Sequence, residues 1–135
     1  MTCFNQVDMV KSITNDVLVS VETSFQKGGN DLYDEEFIFA YRITIENLSE
    51  STIKLLRRHW YIVDSSEHRE VEGEGVIGQQ PVLEPGESHQ YISACNLHTD
   101  MGKMYGTYLF ERLNDGYRFN VTIPEFQLIV PFKNN

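Results

Sequence analysis

Residues Phe37–Asn47 read FIFAYRITIEN, and this alternation limits the available folds more than any other stretch. Phe37, Phe39, Tyr41, Ile43 and Ile45 fall on one side of an extended chain, and Ile38, Ala40, Arg42, Thr44 and Glu46 fall on the other. Successive side chains of a strand point to opposite faces, so a period of two predicts a strand. The same period runs through residues 13–25, where Val17, Val19, Val21 and Thr23 oppose Leu18, Ser20, Glu22 and Ser24, and through residues 104–113. Further strands are expected at 52–64, 89–95 and 117–132, the last interrupted by Pro124. A proline there requires an edge position, a bulge or a change of sheet. Apolar residues on both parities of 52–64 predict a central strand buried on both faces. No segment shows the 3.6-residue period of an amphipathic helix. Turns are expected at 48–51, at 65–70, at Pro85-Gly86 and at Asn114-Asp115-Gly116, where Asp-Gly supplies positive φ angles. Residues 26–36, with paired glycines and four acidic residues, read as a loop, and residues 1–12 as a poorly ordered end or short edge strand. Seven or so short strands between turn signals predict an all-β, antiparallel sandwich, with a barrel as the alternative.

A length of 135 residues fits one domain, 1–135, large enough to bury a core without a disulfide or metal staple. Twenty acidic against eleven basic residues give a net charge of -9, which disfavours nucleic-acid backbones as partners. Cys3 and Cys95 form no C-x-x-C pair and have no histidine at zinc spacing, so both are expected as free thiols in a cytoplasmic protein. The N-terminus lacks the pattern of a signal peptide, and no apolar run is long enough to span a bilayer. Membrane insertion is not expected.

Candidate functional residues gather in 57–86. This stretch holds the only tryptophan, Trp60, the paired Arg57 and Arg58 with His59, and the run Gly73-Glu74-Gly75-Val76-Ile77-Gly78 followed by Gln79-Gln80-Pro81. The run matches G-x-G-x-x-G, but that motif takes its meaning from a strand before it and a helix after it, and no helix can start here. The glycines then serve positive φ angles, bulges or close strand approach. A weaker functional alternative is an anion-binding nest of backbone N–H groups. Strand alternation places Arg57 and His59 on one face and Arg58 on the other. An arginine on such a strand pairs with a carboxylate, Asp64 or Glu46 here, or with a carbonyl. In the functional alternative Arg57 and His59 flank the glycine loop and hold a phosphate or an acidic partner segment. The candidate anion- or partner-binding set is therefore Arg57, Arg58, His59, Gly73, Gly75, Gly78 and Gln80. His59, His68, His89 and His98 have no i, i+2 pairing, and Asp31, Asp34, Glu35 and Glu36 do not follow an EF-hand pattern, so no metal site is expected. Ser65, Ser66, Ser88 and Ser93 lack a nucleophile's context, and Cys95 within a strand reads as a buried thiol. No catalytic residue and no cofactor are expected.

The blocks FAYRITIEN (39–47), LLRRHWYIVDS (55–65), VEGEGVIGQQPVLEPGE (71–87), YISACNL (91–97), GKMYGTY (102–108) and FNVTIPEFQLIVP (119–131) together resemble the ApaG family, over about residues 10–132. The R-H-W-x-I-x-D core and the G-x-G-V-x-G-x-Q-P-x-L-x-P-G block carry the resemblance, which is to a bacterial, stand-alone member. It implies an immunoglobulin-like or fibronectin-III-like sandwich and a tie to cobalt and magnesium resistance or efflux. It also implies a protein-interaction role, because eukaryotic copies of the domain resemble interaction modules. The function expected is a non-enzymatic interaction module with an unidentified protein partner and an indirect role in cobalt and magnesium homeostasis. Its expected surface is the loop of residues 73–81 with Arg57 and His59 at its edge. The rival is a phosphate- or nucleotide-binding protein, or a hydrolase, using the loop from Gly73 to Gly78 with Arg57 and Arg58. An open sheet edge that recruits a strand, or joins two copies as a homodimer, is the third expectation.

Overall fold

The computed structural model describes residues 4–28 and 36–131; Asp31, Asp34, Glu35 and Cys3 lie outside them. Among the described residues there are nine strands and no helix: β1 Asn5–Thr14, β2 Val17–Gly28, β3 Phe37–Asn47, β4 Ile53–Asp64, β5 His68–Glu74, β6 Val82–Leu83, β7 Ser88–Leu97, β8 Met101–Arg112 and β9 Arg118–Ile129. One antiparallel sheet has the order β1-β2-β3-β7, and the other β5-β4-β8-β9 with β6 paired to β4. This is an immunoglobulin-like, fibronectin-III-like sandwich, and it places a buried tryptophan, Trp60, on the central strand that follows the first sheet crossing.

The continuous alternation expected over 13–25 is in fact a hairpin. Asn15 and Asp16 take φ angles of 51° and 61°, and Thr14 pairs with Val17 across them. Two central residues with positive φ match the right-handed twist of the flanking strands, and Asn and Asp tolerate that conformation better than most residues. Strand β5 was expected as a turn. Its sequence, HREVEGE, has one large apolar residue, so the hydrophobic pattern could not reveal it; pairing with β4 from Arg57↔Glu74 to Val63↔His68 makes it a strand. In the β8–β9 turn only Gly116, at φ 73°, takes positive φ, while Asp115 binds the Arg112 guanidinium and accepts the Tyr117 N–H at 3.0 Å.

Two bulges set which residues reach the core. In β4, Leu55 pairs with Phe110 and Arg57 with Leu109, so Leu56 is an extra residue. The inward row therefore changes parity, from Ile53 and Leu55 to Trp60 and Ile62. This explains the apolar residues on both parities of β4: the strand is central, but only one of its faces is buried. In β9 the same device sits at Pro124-Glu125, opposite Tyr105, and moves the inward row from Val121 and Ile123 to Phe126 and Leu128. Pro124 thus lies on an edge strand and at a bulge. Trp60, Tyr41 and Phe126 meet between the sheets with ring centroids 5.5–5.9 Å apart. Each such ring contributes on the order of 2–3 kcal/mol through area removed from water.

Asn47 is the buried polar hub of the β3–β4 crossing. Its Nδ2 donates to the carbonyls of Ser51 (2.8 Å) and Leu83 (3.0 Å), and its Oδ1 accepts the Ser49 N–H (3.0 Å) and hydroxyl (2.7 Å). Its main chain also closes on the Pro85-Gly86 turn, through Asn47 N–H to Glu87 O and Gly86 N–H to Asn47 O. Asn47→Ala strands two buried carbonyls and a serine, so it is expected to lower stability by about 2–4 kcal/mol. Urea unfolding should show this as a lower midpoint at an unchanged denaturant slope.

Asp64 closes the β4–β5 turn and joins it to the β7–β8 connection. Its Oδ1 accepts from the Ser66 N–H and hydroxyl and the Glu67 N–H, and its Oδ2 accepts the His98 N–H at 2.8 Å. Desolvation pushes this carboxyl up, but the hydrogen bonds together outweigh it and hold the pKa at about 2, below the ordinary 3.8. A depressed carboxylate stabilises the fold fully above its unfolded value and loses that contribution as pH falls through its folded one. Discounted for partial solvation, the loss between pH 4 and pH 2 is about 1–2 kcal/mol. Asp64→Asn should remove that part of the acid dependence in a series of thermal melts.

Candidate functional site

Along the β1–β9 side the two sheets are tied at one end by hydrogen bonds, and beyond them a hollow of about 510 Å³ lies between Val10, Thr23, Phe126 and Ile129. At the tied end, side chains of β1 and its turn bind the edge of β9: Ser12 donates to Thr122 O, Asn15 to Asn120 O, and Thr14 Oγ1 accepts the Thr122 N–H. On the opposite side, between β5 and β7, lies a cleft of about 350 Å³. Its floor is Tyr41, Trp60, Ile62 and Met104, one wall is Tyr91, Ser93 and Cys95 of β7, and the other is Arg69 and Val71 of β5. Val76, Ile77 and Gly78 close one end, and Arg58 lies within.

The β4 bulge builds the wall at that end. The Leu56 carbonyl accepts both the Gly75 N–H (2.8 Å) and the Gln80 side-chain amide (3.0 Å). The chain then reverses in two residues, with Val76 N–H donating to Gln79 O and Gln79 N–H to Val76 O. Ile77 and Gly78 hold φ angles of 48° and 72°, as this turn demands. A β-branched residue in the left-handed region costs about 1–2 kcal/mol. Val76 beside it is buried, yet Ile77 is 59% exposed at the cleft mouth, so core packing does not repay that strain.

Arg58 Nη1 donates to the carbonyls of Glu74 and Gly75, both at 3.0 Å. Its guanidinium lies flat on Gly73: a Cβ there would sit 2.8–2.9 Å from three of its atoms. The expected carboxylate partners are not used, since Asp64 is engaged in its own turn. Among the described residues no carboxylate lies within salt-bridge distance of Arg58, whereas Arg42, Arg69, Arg112 and Arg118 each have one. Three loop N–H groups, those of Gly75, Val76 and Gln79, are spent on carbonyls, so the run presents carbonyls to Arg58 and little of an anion nest.

The alternation of Arg57, Arg58 and His59 is as expected, but it divides the candidate set. Arg58 and Gly78 line the cleft, Gly73 and Gly75 lie against Arg58, and Gln80 braces the loop from behind. Arg57 and His59 belong to a shallow hollow on the outer face with Glu72, Thr107 and Asn120, which Arg58 also borders, and neither of them lines the cleft. There His59 Nε2 is 2.6 Å from Glu70 and Nδ1 is 3.5 Å from Glu72, and its ring stacks on Tyr61, which stacks on Tyr105. His59, Glu70 and Glu72 can bring one donor atom each within 4.8 Å of the others. One imidazole and two exposed carboxylates suit a weakly held divalent ion, not the closed four-ligand site of a tight one. Reading β5 as a turn hid this cluster, because its two glutamates reach His59 only through the β4–β5 register.

Arg69 and Tyr91 are cleft residues that sequence reasoning did not single out, and Ser93 was weighed only as a nucleophile and set aside. Arg69 crosses from β5 to the carbonyl of Asn96 on β7 and also faces Glu67 at 3.6 Å. The Tyr91 hydroxyl is 2.5 Å from that of the buried Tyr108. Burial raises both phenols, and it also raises the Cys95 thiol against the pull of Arg69. These groups stay protonated near neutrality and are poor bases and nucleophiles. The shared parity of Tyr91, Ser93 and Cys95 was a readable signal for one wall of the cleft.

An ApaG domain model matches residues 29–112. The chain belongs to the ApaG family. It is 42% identical over 124 residues to Protein ApaG of Sinorhizobium fredii, covering 91% of this chain and 95% of that one. It is 41% identical over 124 residues to Protein ApaG of Azoarcus sp., covering 91% and 97%. A structural-genomics target solved by X-ray superimposes with a TM-score of 0.82 at 40% identity, over 87% of this chain and 89% of that one. These likenesses cover more of the chain than the matched domain.

Ile77→Asn keeps the turn and removes the β-branched strain, so this ApaG chain is expected to gain about 0.5–1 kcal/mol of stability. A raised thermal midpoint checks it; a lowered one would mean that the exposed Ile77 side chain contributes packing.

Proposed function

We propose that this ApaG chain is a non-enzymatic interaction module of the cytoplasm whose binding surface is the cleft between β5 and β7. What supports the reading is the apolar rim of the cleft: Val71 and Ile77 line it and are 39% and 59% exposed. Large apolar side chains grouped around a concave surface mark a place where a partner excludes water. Ile77 is held there against its backbone preference, and strain that stability does not require gathers at functional sites. The cleft chemistry agrees, since its hydroxyls and thiol are held neutral. The rival phosphate or nucleotide reading has Arg58 in its favour, but the loop offers that arginine carbonyls where a phosphate would need N–H donors.

The role in cobalt and magnesium homeostasis that family membership suggests is, in this reading, exercised through the partner. No helix among the described residues is long and apolar enough to cross a membrane. The test is a photo-reactive phenylalanine analogue placed singly at Ile77, at Val71 and, as an exposed control away from the cleft, at Tyr117. A discrete cross-linked protein from the first two positions only is expected. Equal labelling from all three would remove the assignment of the surface. Saturable amide shifts of residues 73–78 with pyrophosphate or ATP would favour the rival.

A further inference from the structure

A β-sandwich has four sheet edges, and three of these are defended. The β9 edge is bulged at Pro124 and bound by side chains of β1 and its turn, and the β1 edge is itself irregular between Asn5 and Val10 and carries Lys11. The β5 edge carries Arg69, Glu70, Glu72 and Glu74, charges that discourage a neighbouring strand. The β7 edge has none of these devices. Its ten residues, SHQYISACNL, contain no charged residue and no proline, and they pair with β3 in unbroken register.

The direction of its free groups follows from two hydrogen bonds. Glu87 O accepts from Asn47 N–H of β3, and Asn96 O faces the other way, toward Arg69. Main-chain groups alternate in direction along a strand, so those of Gln90, Ile92 and Ala94 point away from β3 into solvent. Arg69 occupies the position at Asn96, which leaves a run of three residues open. The side chains between them, Tyr91 and Ser93, face the cleft.

We propose that β7 accepts an extended segment of a partner protein as a further strand of its sheet, and that an Asp or Glu side chain of this segment pairs with Arg58. The inference rests on the interaction-module reading and names its partner. Alternate side chains of an added strand enter the cleft beside Tyr91 and Ser93, while its main chain bonds to Gln90, Ile92 and Ala94. The edge thus supplies affinity and the cleft supplies selectivity. Charge decides the occupant. Arg58 is a half-buried cation with no carboxylate within salt-bridge distance among the described residues, in a chain with 20 acidic residues. A second copy of β7 brings no carboxylate to it, whereas an acidic segment does.

The probe is a pool of blocked nonapeptides with a fixed central glutamate and Thr or Val elsewhere, set against a matched pool with central lysine. The glutamate pool is expected to shift the amides of Gln90, Ile92 and Ala94 and to slow their hydrogen exchange. The lysine pool should bind roughly tenfold more weakly or worse, as loss of a charge-assisted hydrogen bond predicts. Arg58→Gln should erase the difference between pools, with an unchanged amide spectrum outside the cleft. N-methylation of alternate peptide amides should abolish binding without altering the protein. Equal binding of the two pools overturns the proposal, as does an unperturbed β7 at millimolar peptide. Self-association through β7 in sedimentation, with no peptide response, overturns it in favour of a second copy. Selective cross-links from Ile77 together with a silent β7 would leave the module reading standing and reject only this one.

Discussion

One extra residue in β4 governs both the core and the cleft. Without Leu56 as a bulge, the inward row that begins with Ile53 and Leu55 would continue through Arg57 and His59, and Trp60 would face water. Burying those two polar groups unpaired would cost several kcal/mol, and the core would lose its largest ring. The bulge turns the row over, so Trp60 and Ile62 join the core and Arg58 enters the inter-sheet space. It also turns the Leu56 carbonyl to the position where Gly75 N–H and Gln80 both reach it.

The sandwich is asymmetric for a related reason. On the β1–β9 side, short hydroxyl and amide side chains near the β1–β2 turn satisfy the main chain of the facing edge and tie the sheets together there. On the β5–β7 side they are held apart by larger groups: the guanidinium of Arg58 on Gly73, Arg69 reaching across to Asn96, and the tight turn at Ile77-Gly78. Stability is spent at this place, through a left-handed isoleucine and a cation without a carboxylate, while the rest of the fold follows ordinary rules.

Much of the architecture was legible because it is written in local periodicity. The β3 alternation, the Pro85-Gly86 turn and the disruption at Pro124 all appear where the residues place them, and Gly86 takes the φ of 84° that a type II turn requires. The opposite faces of Arg57 and Arg58 were equally readable. Strand β5 was not, because an edge strand facing solvent on one side needs little apolar pattern. The Asn15-Asp16 hairpin was overlooked although its residue types announce it, since the valine alternation ran on through it. The His59-Glu70-Glu72 cluster and the cleft depended on registers that no local window contains.

The sequence by itself determined the all-β class, the antiparallel turns and the family, because strand period and turn chemistry act over a few residues and the family blocks are contiguous. Only the tertiary structure decided which arginine meets the glycine loop, which sheet edge is left unguarded and where the cleft lies. Those outcomes turn on single-residue bulges and on pairing between distant strands. A shift of one residue exchanges the two faces of a strand, and its energy lies in contacts between segments far apart in the chain.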